Sequence, residues 1–454
     1  MTFMGNDFLL KSDLAKRLYD EIKHLPIIDY HCHLDPRAIA ENKRFKNITE
    51  LALTGDHYKW RLMRACGVEE KYITGDAADF DKFFYFCKTI ENCIGSPVYH
   101  WTCLEMQRYF DYDGIINAKN AKEIYEHCNK IINGDFSVWG ILKKFNVELI
   151  GTTDDPIDTL EYHKSIAENK DLPRVVPTFR PSQVLDIEKP GFRDYINRLG
   201  NINSWDDLLA VLSERIDFFH KMGCVSSDHS LEPPVFCKSN NADSVLKKAL
   251  SGDTLSESEI NSYKTELLIK LGGMYKAKNW IMQLHMGAQR NNNTRMFDML
   301  GADTGFDAMG DNNYSKPLAL LLDSIEKQYG LPKTVFYALN PNSDTMLSVL
   351  AGCFQGDIPG KIQLGAPWWF NDTKQGIINH LTLLAQTGVV SNFIGMLTDS
   401  RSFMSYPRHE YYRRIMCQTI ATWVDDGEFP NDFSKLSEIV KGIAYENISK
   451  YLKL

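Results

Sequence analysis

Eight short apolar runs, each ending in polar residues and each followed by a stretch of helical periodicity, constrain this chain more than any other feature. They occupy residues 27–34, 147–152, 175–180, 224–228, 280–285, 334–339, 361–367 and 392–397. Continuous apolar runs suit parallel strands covered on both faces. Their alternation with helical segments predicts repeated βαβ units. Eight such units predict an α/β fold, a (β/α)8 barrel of the TIM type. That fold runs from about 200 to over 400 residues, so one barrel with insertions accommodates this 454-residue chain. A doubly wound open sheet competes poorly, because no G-x-G-x-x-G follows the first run. The whole chain, 1–454, is therefore read as a single barrel domain. Residues 35–145, rich in helix formers and aromatics, are expected to form a helical insertion between strands one and two, over the barrel mouth. Residues 231–278 form a second excursion after strand four, and Asn291-Asn292-Asn293 reads as a short polar loop.

In a barrel, functional residues gather at the carboxyl ends of the strands. Here those ends carry His31 and His33, Arg180, Asp228-His229, His285, Asn340, Trp368-Trp369, and Asp399 with Arg401. His31 and His33 sit at i and i+2, a spacing that turns both side chains to one face of a strand. Imidazole nitrogen is a preferred ligand of zinc and similar ions. Asp399 can complete the set, and three protein ligands with an open position mark a catalytic rather than a structural site. The expected cofactor is one divalent metal ion, zinc first, with manganese, iron or cobalt as alternatives. Strand four carries Ser226-Ser227-Asp228-His229 and no lysine, so a bridging carbamylated lysine is absent and one metal is favoured over two. His285 can serve as a fourth ligand, a substrate contact or a supporting hydrogen-bonding group. The alternative for the two histidines is an ordinary core role, bonded to backbone.

Arg180, flanked by Pro177 and Pro181, is a candidate for binding a carboxylate or phosphate; the alternative is a structural ion pair. Arg401 is a second anion binder, suited to stabilising negative charge developing on an oxygen. Arg290 and Arg295 read as loop or helix surface residues. His57 and Tyr58, adjacent in the insertion, are candidates for general acid and base; by periodicity alone they are surface residues. One of Trp368 and Trp369 is expected to pack inward and the other to line the pocket; the alternative places both in the core. Cys32, between the two histidines, should face the core between strands and helices.

The net charge of −8, with no basic stripe, argues against a nucleic-acid partner. No apolar run reaches the ~18 residues of a membrane helix. Residues 1–17 lack the charged start and apolar core of a secretory leader. Ten cysteines without a C-x-x-C pair indicate free thiols in a reducing cytoplasm. No repeat of 20–50 residues is found.

Several segments together resemble the uronate isomerases, also called glucuronate isomerases, a divergent branch of the amidohydrolase superfamily. They are Tyr30-His31-Cys32-His33, the stretch from Asp56 through His57-Tyr58-Lys59-Trp60 to Arg64, and the stretch from Pro97 to Glu105. Thr178-Phe179-Arg180-Pro181, Trp368 to Asp372, Thr398-Asp399-Ser400-Arg401-Ser402-Phe403 and Arg408 to Tyr411 extend the likeness over nearly the whole chain. The lysine of strand four and histidine of strand six found in the wider superfamily are missing, with Asp228-His229 and Asn340 near those places. The resemblance implies reversible conversion of D-glucuronate to D-fructuronate and of D-galacturonate to D-tagaturonate, in hexuronate catabolism. It implies His31, His33 and Asp399 as metal ligands, with His57, Tyr58, Arg180 and Arg401 around the substrate. For that reaction Tyr58, its proton affinity lowered by a nearby cation, or a metal-bound hydroxide is expected to take the C2 proton, and Asp399 or His57 to shuttle protons between the oxygens. A metal-dependent hydrolase on the same barrel is the alternative. As a metabolic enzyme of the cytoplasm the chain is expected to be a homo-oligomer.

Overall fold

The computed structural model describes residues 3–453; Met1 and Thr2, which open the segment read above for a leader, and Leu454 lie outside the described residues. Among the described residues ten strands appear: β1 (Ile27–Asp29), β2 (Val147–Gly151), β3 (Arg174–Val176), β4 (Thr178–Phe179), β5 (Ser226–Leu231), β6 (Ile281–Met286), β7 (Ala288–Gln289), β8 (Ala308–Met309), β9 (Lys333–Ala338) and β10 (Ile362–Leu364). Parallel pairing joins β1–β2–β3 in one ladder and β4–β5–β6–β9–β10 in another. Strands β3 and β4 are halves of the single run expected at 175–180. They are parted at Pro177, which has no N–H to give to a ladder. A bridge between Asp154 and Phe179 carries the pairing of β2 onward onto β4. Seven of the expected runs thus form the strands of an α/β barrel.

The eighth run, expected as a strand over 392–397, has no ladder of its own. Gly395, at φ +81°, lies so close to the Ile443 carbonyl that a Cβ would stand 2.2 Å from it. Side chains take over the ladder's work. Gln363 of β10 accepts from the Ile394 N–H and donates to the Asn392 carbonyl, and Asn447 donates to the carbonyls of Ser391 and Phe393. On the other side, the Asp399 N–H donates to the His31 carbonyl and the His33 N–H to the Ser400 carbonyl. The circuit therefore returns to the first strand through residues 398–400.

The inside of the barrel is a compact apolar cluster that includes Ile28, Leu149, Val176, Val335 and Tyr337. A larger shell between strands and helices contains Cys32, fully buried, on the side that alternation requires. Between β1 and β2 the chain forms seven α-helices, among them His57–Ala65 and Pro97–Phe110. The first of these is capped by Asp56, whose carboxylate accepts the Lys59 N–H. After β5 come helices Ala242–Ser251 and Glu257–Ala277, the latter opened by a Ser256/Glu259 capping box. The polar stretch after β6 is more than a short loop. Antiparallel β7 and β8 enclose an excursion that crosses the mouth, where Arg61 and Arg64 donate to the carbonyls of Thr304, Gly305 and Asp307. Among the described residues no helix is long and apolar enough to cross a membrane.

Candidate active site

The carboxyl ends of the strands open into a cavity of about 1060 Å³, which also reaches the His57–Ala65 helix, the excursion after β6 and Arg408. His31 and His33 lie just beyond the end of β1 rather than within it. The backbone stays extended there: the Cys32 N–H donates to Gly151 on β2 and the His33 N–H to Ser400 on the opposite side. The i, i+2 spacing therefore still turns both imidazoles the same way. Their Nε2 atoms stand 3.5 and 3.1 Å from Asp399 Oδ1. One ligand atom from each of the three residues lies within 4.8 Å of the others. Both ring nitrogens of His31 and Oδ1 of Asp399 are buried and without a hydrogen-bond partner. Three donors converging at contact distance without an aligned hydrogen bond fit a cation between them, and the N, N, O set is that of a divalent transition ion.

Asp399 has φ +45°, a left-handed conformation that aspartate tolerates better than most residues. That turn breaks the alternation expected of a strand end, so Arg401 does not accompany Asp399 inward. Arg401 lies at the rim, with its Nη2 3.0 Å from Asp303 Oδ2. Burial alone would raise the Asp399 carboxyl, but the His31 and His33 side chains facing it hold it well below the usual carboxylate range. Burial works to lower His31, yet Asp228 and Asp399 together raise it, while burial keeps His33 lowered.

A second group adjoins the first. In the β5–β6 register Ser230 faces His285, so Asp228, two residues back, lies diagonal to His285 on the same face. His285 Nδ1 stands 2.7 Å from Asp228 Oδ1, and Arg180 Nη1 donates to Asp228 Oδ2 at 2.8 Å. Arg180 thus makes the ion pair of the alternative reading and also lines the cavity. Against the desolvation of full burial, Arg180, His285 and His31 keep Asp228 ionised well below its ordinary range. Asp228, His285 and His31 form a further cluster with metal-ligand spacing that shares His31 with the first.

His57 stacks on Tyr58 at 4.8 Å and meets Trp369 edge-on at 5.1 Å, while Tyr58 meets Trp101 at 5.9 Å. Helix capping and the buried Lys59, which reaches Glu105 at 3.0 Å and Asp56 at 3.3 Å, hold this end of the helix at the cavity. A cation was expected to lower the proton affinity of Tyr58. The structure gives the opposite: burial pushes the phenol far up and outweighs Arg408, the cation that opposes it. Burial also lowers His57, so both groups favour their neutral forms at pH 7.

Both Trp368 and Trp369 line the cavity, where one was expected to pack away. The Trp368 indole N–H donates to Asp399 Oδ2. Arg290, read as a surface residue, sits over the Trp369 ring at 5.4 Å and pairs with Glu232 and Asp307, whereas Arg295 is exposed. Arg408 is a cavity-lining residue that was not among the candidates read from the sequence. It is buried, pairs with Asp372 and covers the Trp101 ring at 4.6 Å. Its only signal in the sequence was the likeness of the Arg408–Tyr411 stretch to the isomerases.

Fold and site together define an α/β-barrel enzyme with a candidate active site at the carboxyl ends of the strands. The glucuronate isomerase family model matches residues 1–452. A uronate isomerase of Caldicellulosiruptor saccharolyticus is 50% identical over 459 residues, covering 99% of each chain. The crystal structure of a uronate isomerase from Thermotoga maritima superimposes with a TM-score of 0.94 at 35% identity, covering 100% of both chains. That of a glucuronate isomerase from Caulobacter crescentus gives 0.91 at 25%, covering 99% of this chain and 96% of its own. The chain belongs to the glucuronate isomerase family.

Proposed function

We propose that this chain interconverts D-glucuronate with D-fructuronate and D-galacturonate with D-tagaturonate. The full-length match to uronate isomerases carries the reading, and the convergence of two histidines, an aspartate and two arginines on one cavity supports it. His31, His33 and Asp399 would hold one divalent ion, zinc first by the chemistry of the donor set. When bound, that ion supplies a fixed positive charge that favours negative charge on the sugar's carbonyl-end oxygens.

The reaction moves a proton from C2 to C1 and readjusts protons on O1 and O2. The C2–H becomes acidic only when charge on the carbonyl oxygen is stabilised, as in an enediolate. Arg180 has Nη1 on Asp228 and Nε on Ser182, so Nη2 is left for the substrate carboxylate. Arg401, at the rim, pairs with the reacting oxygens or exchanges that role with Arg180. The neutral Tyr58 phenol is fitted to donate a proton to an oxygen that becomes negative. Neutral His57, stacked beside it, is fitted to accept one. His285, held by Asp228, orients the substrate from the floor. The enzyme is placed in the cytoplasm, where ten unpaired thiols are stable, and is taken to act as a homo-oligomer.

The test offers both aldoses to purified protein and follows ketose formation with and without a chelator. Ketose from either sugar, lost on chelation and restored by zinc, is the expected result. No ketose from either with metal supplied would overturn the proposal.

A further inference from the structure

We infer that Trp368 is a positioning residue for the cation site: its indole N–H fixes Asp399 by Oδ2, so that Oδ1 is presented to His31 and His33. The inference rests on the metal-binding reading above and extends it to a residue outside the proposed ligand set.

Asp399 arrives on a segment without a ladder and in a left-handed conformation, so no regular backbone aims its carboxylate. Apart from the two histidines, its one side-chain partner among the described residues is Trp368. An indole can only donate, so it engages Oδ2 without competing for a cation. Oδ1 is left buried and unpaired beside the two imidazoles. The turn that carries Trp368 is itself held on several sides. The ring meets His285 edge-on at 4.8 Å, and His285 in turn stacks on Tyr337 at 4.4 Å. Asn371 donates to the Ala338 and Leu339 carbonyls at the end of β9. Asp372 is locked to the buried Arg408. Between these anchors Trp369 adopts φ +53°, a conformation a bulky side chain takes only where its surroundings impose it.

Trp369 provides the matched control, because it is equally buried in the same turn and its indole N–H has no partner. Metal-stripped protein would be titrated with Zn²⁺ against a chromophoric chelator, and each variant's metal-free thermal unfolding recorded. Trp368→Phe should weaken Zn²⁺ binding by about 10–100-fold, the usual effect of losing a partner that orients a ligand. Trp369→Phe should leave it unchanged while lowering the metal-free Tm to a similar degree. Asp372→Asn, nearly isosteric, should weaken binding in the same direction as Trp368→Phe, and decides the matter should the latter fail to fold. Zn²⁺ affinity unchanged in Trp368→Phe or, failing that, in Asp372→Asn would overturn the inference. So would equal weakening in both tryptophan variants, which would make the effect one of packing. Wild-type protein that takes up no Zn²⁺ would instead sink the metal reading itself.

Discussion

Asp228→Asn tests whether the buried carboxylate is the anchor of Arg180 and His285. Asp228 is fully buried and both oxygens are occupied, one by His285 at 2.7 Å and one by Arg180 at 2.8 Å. Asparagine keeps the shape but turns one acceptor into a donor, and arginine only donates. With the amide oxygen toward Arg180, the amide N–H meets His285 Nδ1 only if that ring carries its proton on Nε2, and both bonds lose the charge; turned round, the Arg180 bond is lost and the other weakened. Hydrogen bonds to charged groups contribute about 1.5–3 kcal/mol and neutral ones about 0.5–1.5 kcal/mol. The Arg180 side chain is 25% exposed, so water recovers part of its loss. The expected destabilisation is then about 2–3 kcal/mol. At about 2.1 cal/mol/K of unfolding entropy per residue, this lowers Tm by about 2–3 °C in a chain of 454 residues. The sign with pH follows from the depressed carboxyl. Its contribution is present above the unfolded value of about 4 and is lost as pH falls through the lower folded value. Calorimetry of metal-free wild type and variant should show a gap that persists from about pH 8 to pH 5, widening where His31, which Asp228 raises, takes up its proton, and closing only in stronger acid. A gap below about 1 °C, or one that closes as pH falls from 8 to 5, would refute the reasoning.

Three further outcomes are expected. Tyr58→Phe should lower isomerase kcat by about 10²–10⁴-fold with Zn²⁺ affinity intact; retained activity would remove the phenol as a proton donor. Asp303→Asn frees Arg401 from a pair whose partners are 41% and 50% exposed. Such a pair is worth about 0.2–1 kcal/mol, so KM for D-glucuronate should fall by at most about five-fold with kcat unchanged, and a rise in KM would show that Asp303 itself contacts the sugar. Burial lowers His57, so the acid limb of kcat/KM should lie below the ordinary histidine value of about 6.5. A pH–rate profile of His57→Gln that keeps the same acid limb would assign that limb to another group.

The barrel was legible because parallel strands buried on both faces leave uninterrupted apolar runs, and seven of the eight appear where those runs lie. The eighth failed for a local reason: Gly395 is pressed against Ile443, a contact between residues far apart in sequence. The excursion after β6 was not legible, since β7 and β8 are two residues each and their stretch shows no periodicity. At the candidate site, His31, His33, Asp399, Arg180 and His285 line one cavity and were legible as candidates because each closes an apolar run. The bond from Trp368 to Asp399 has no such signature. Neither does the Asp372–Arg408 pair, which joins a turn to a helix 36 residues on. The expected lowering of Tyr58 went wrong for a related reason. A nearby cation can be guessed from sequence, but the depth of burial that outweighs it cannot.

That the turn from Trp368 to Asp372 reaches both halves of the site bears on how the two are coupled. Trp368 donates to Asp399, beside the candidate metal ligands, and Trp369 packs edge-on against His57, beside the candidate proton donor. Strain of the kind seen at Trp369 costs about 1–3 kcal/mol and persists only where the surroundings over-determine the backbone. Here Asn371 and the Asp372–Arg408 pair hold it from below, and Arg290 covers the Trp369 ring from above. The helix bearing His57 and Tyr58 belongs to the long insertion, whereas Asp399 belongs to the barrel rim. Without a common wall, motion of the insertion would alter the distance between proton donor and cation. A rigid aromatic turn in contact with both keeps that distance fixed, which an isomerase needs because C1, C2 and their oxygens must meet both halves at once.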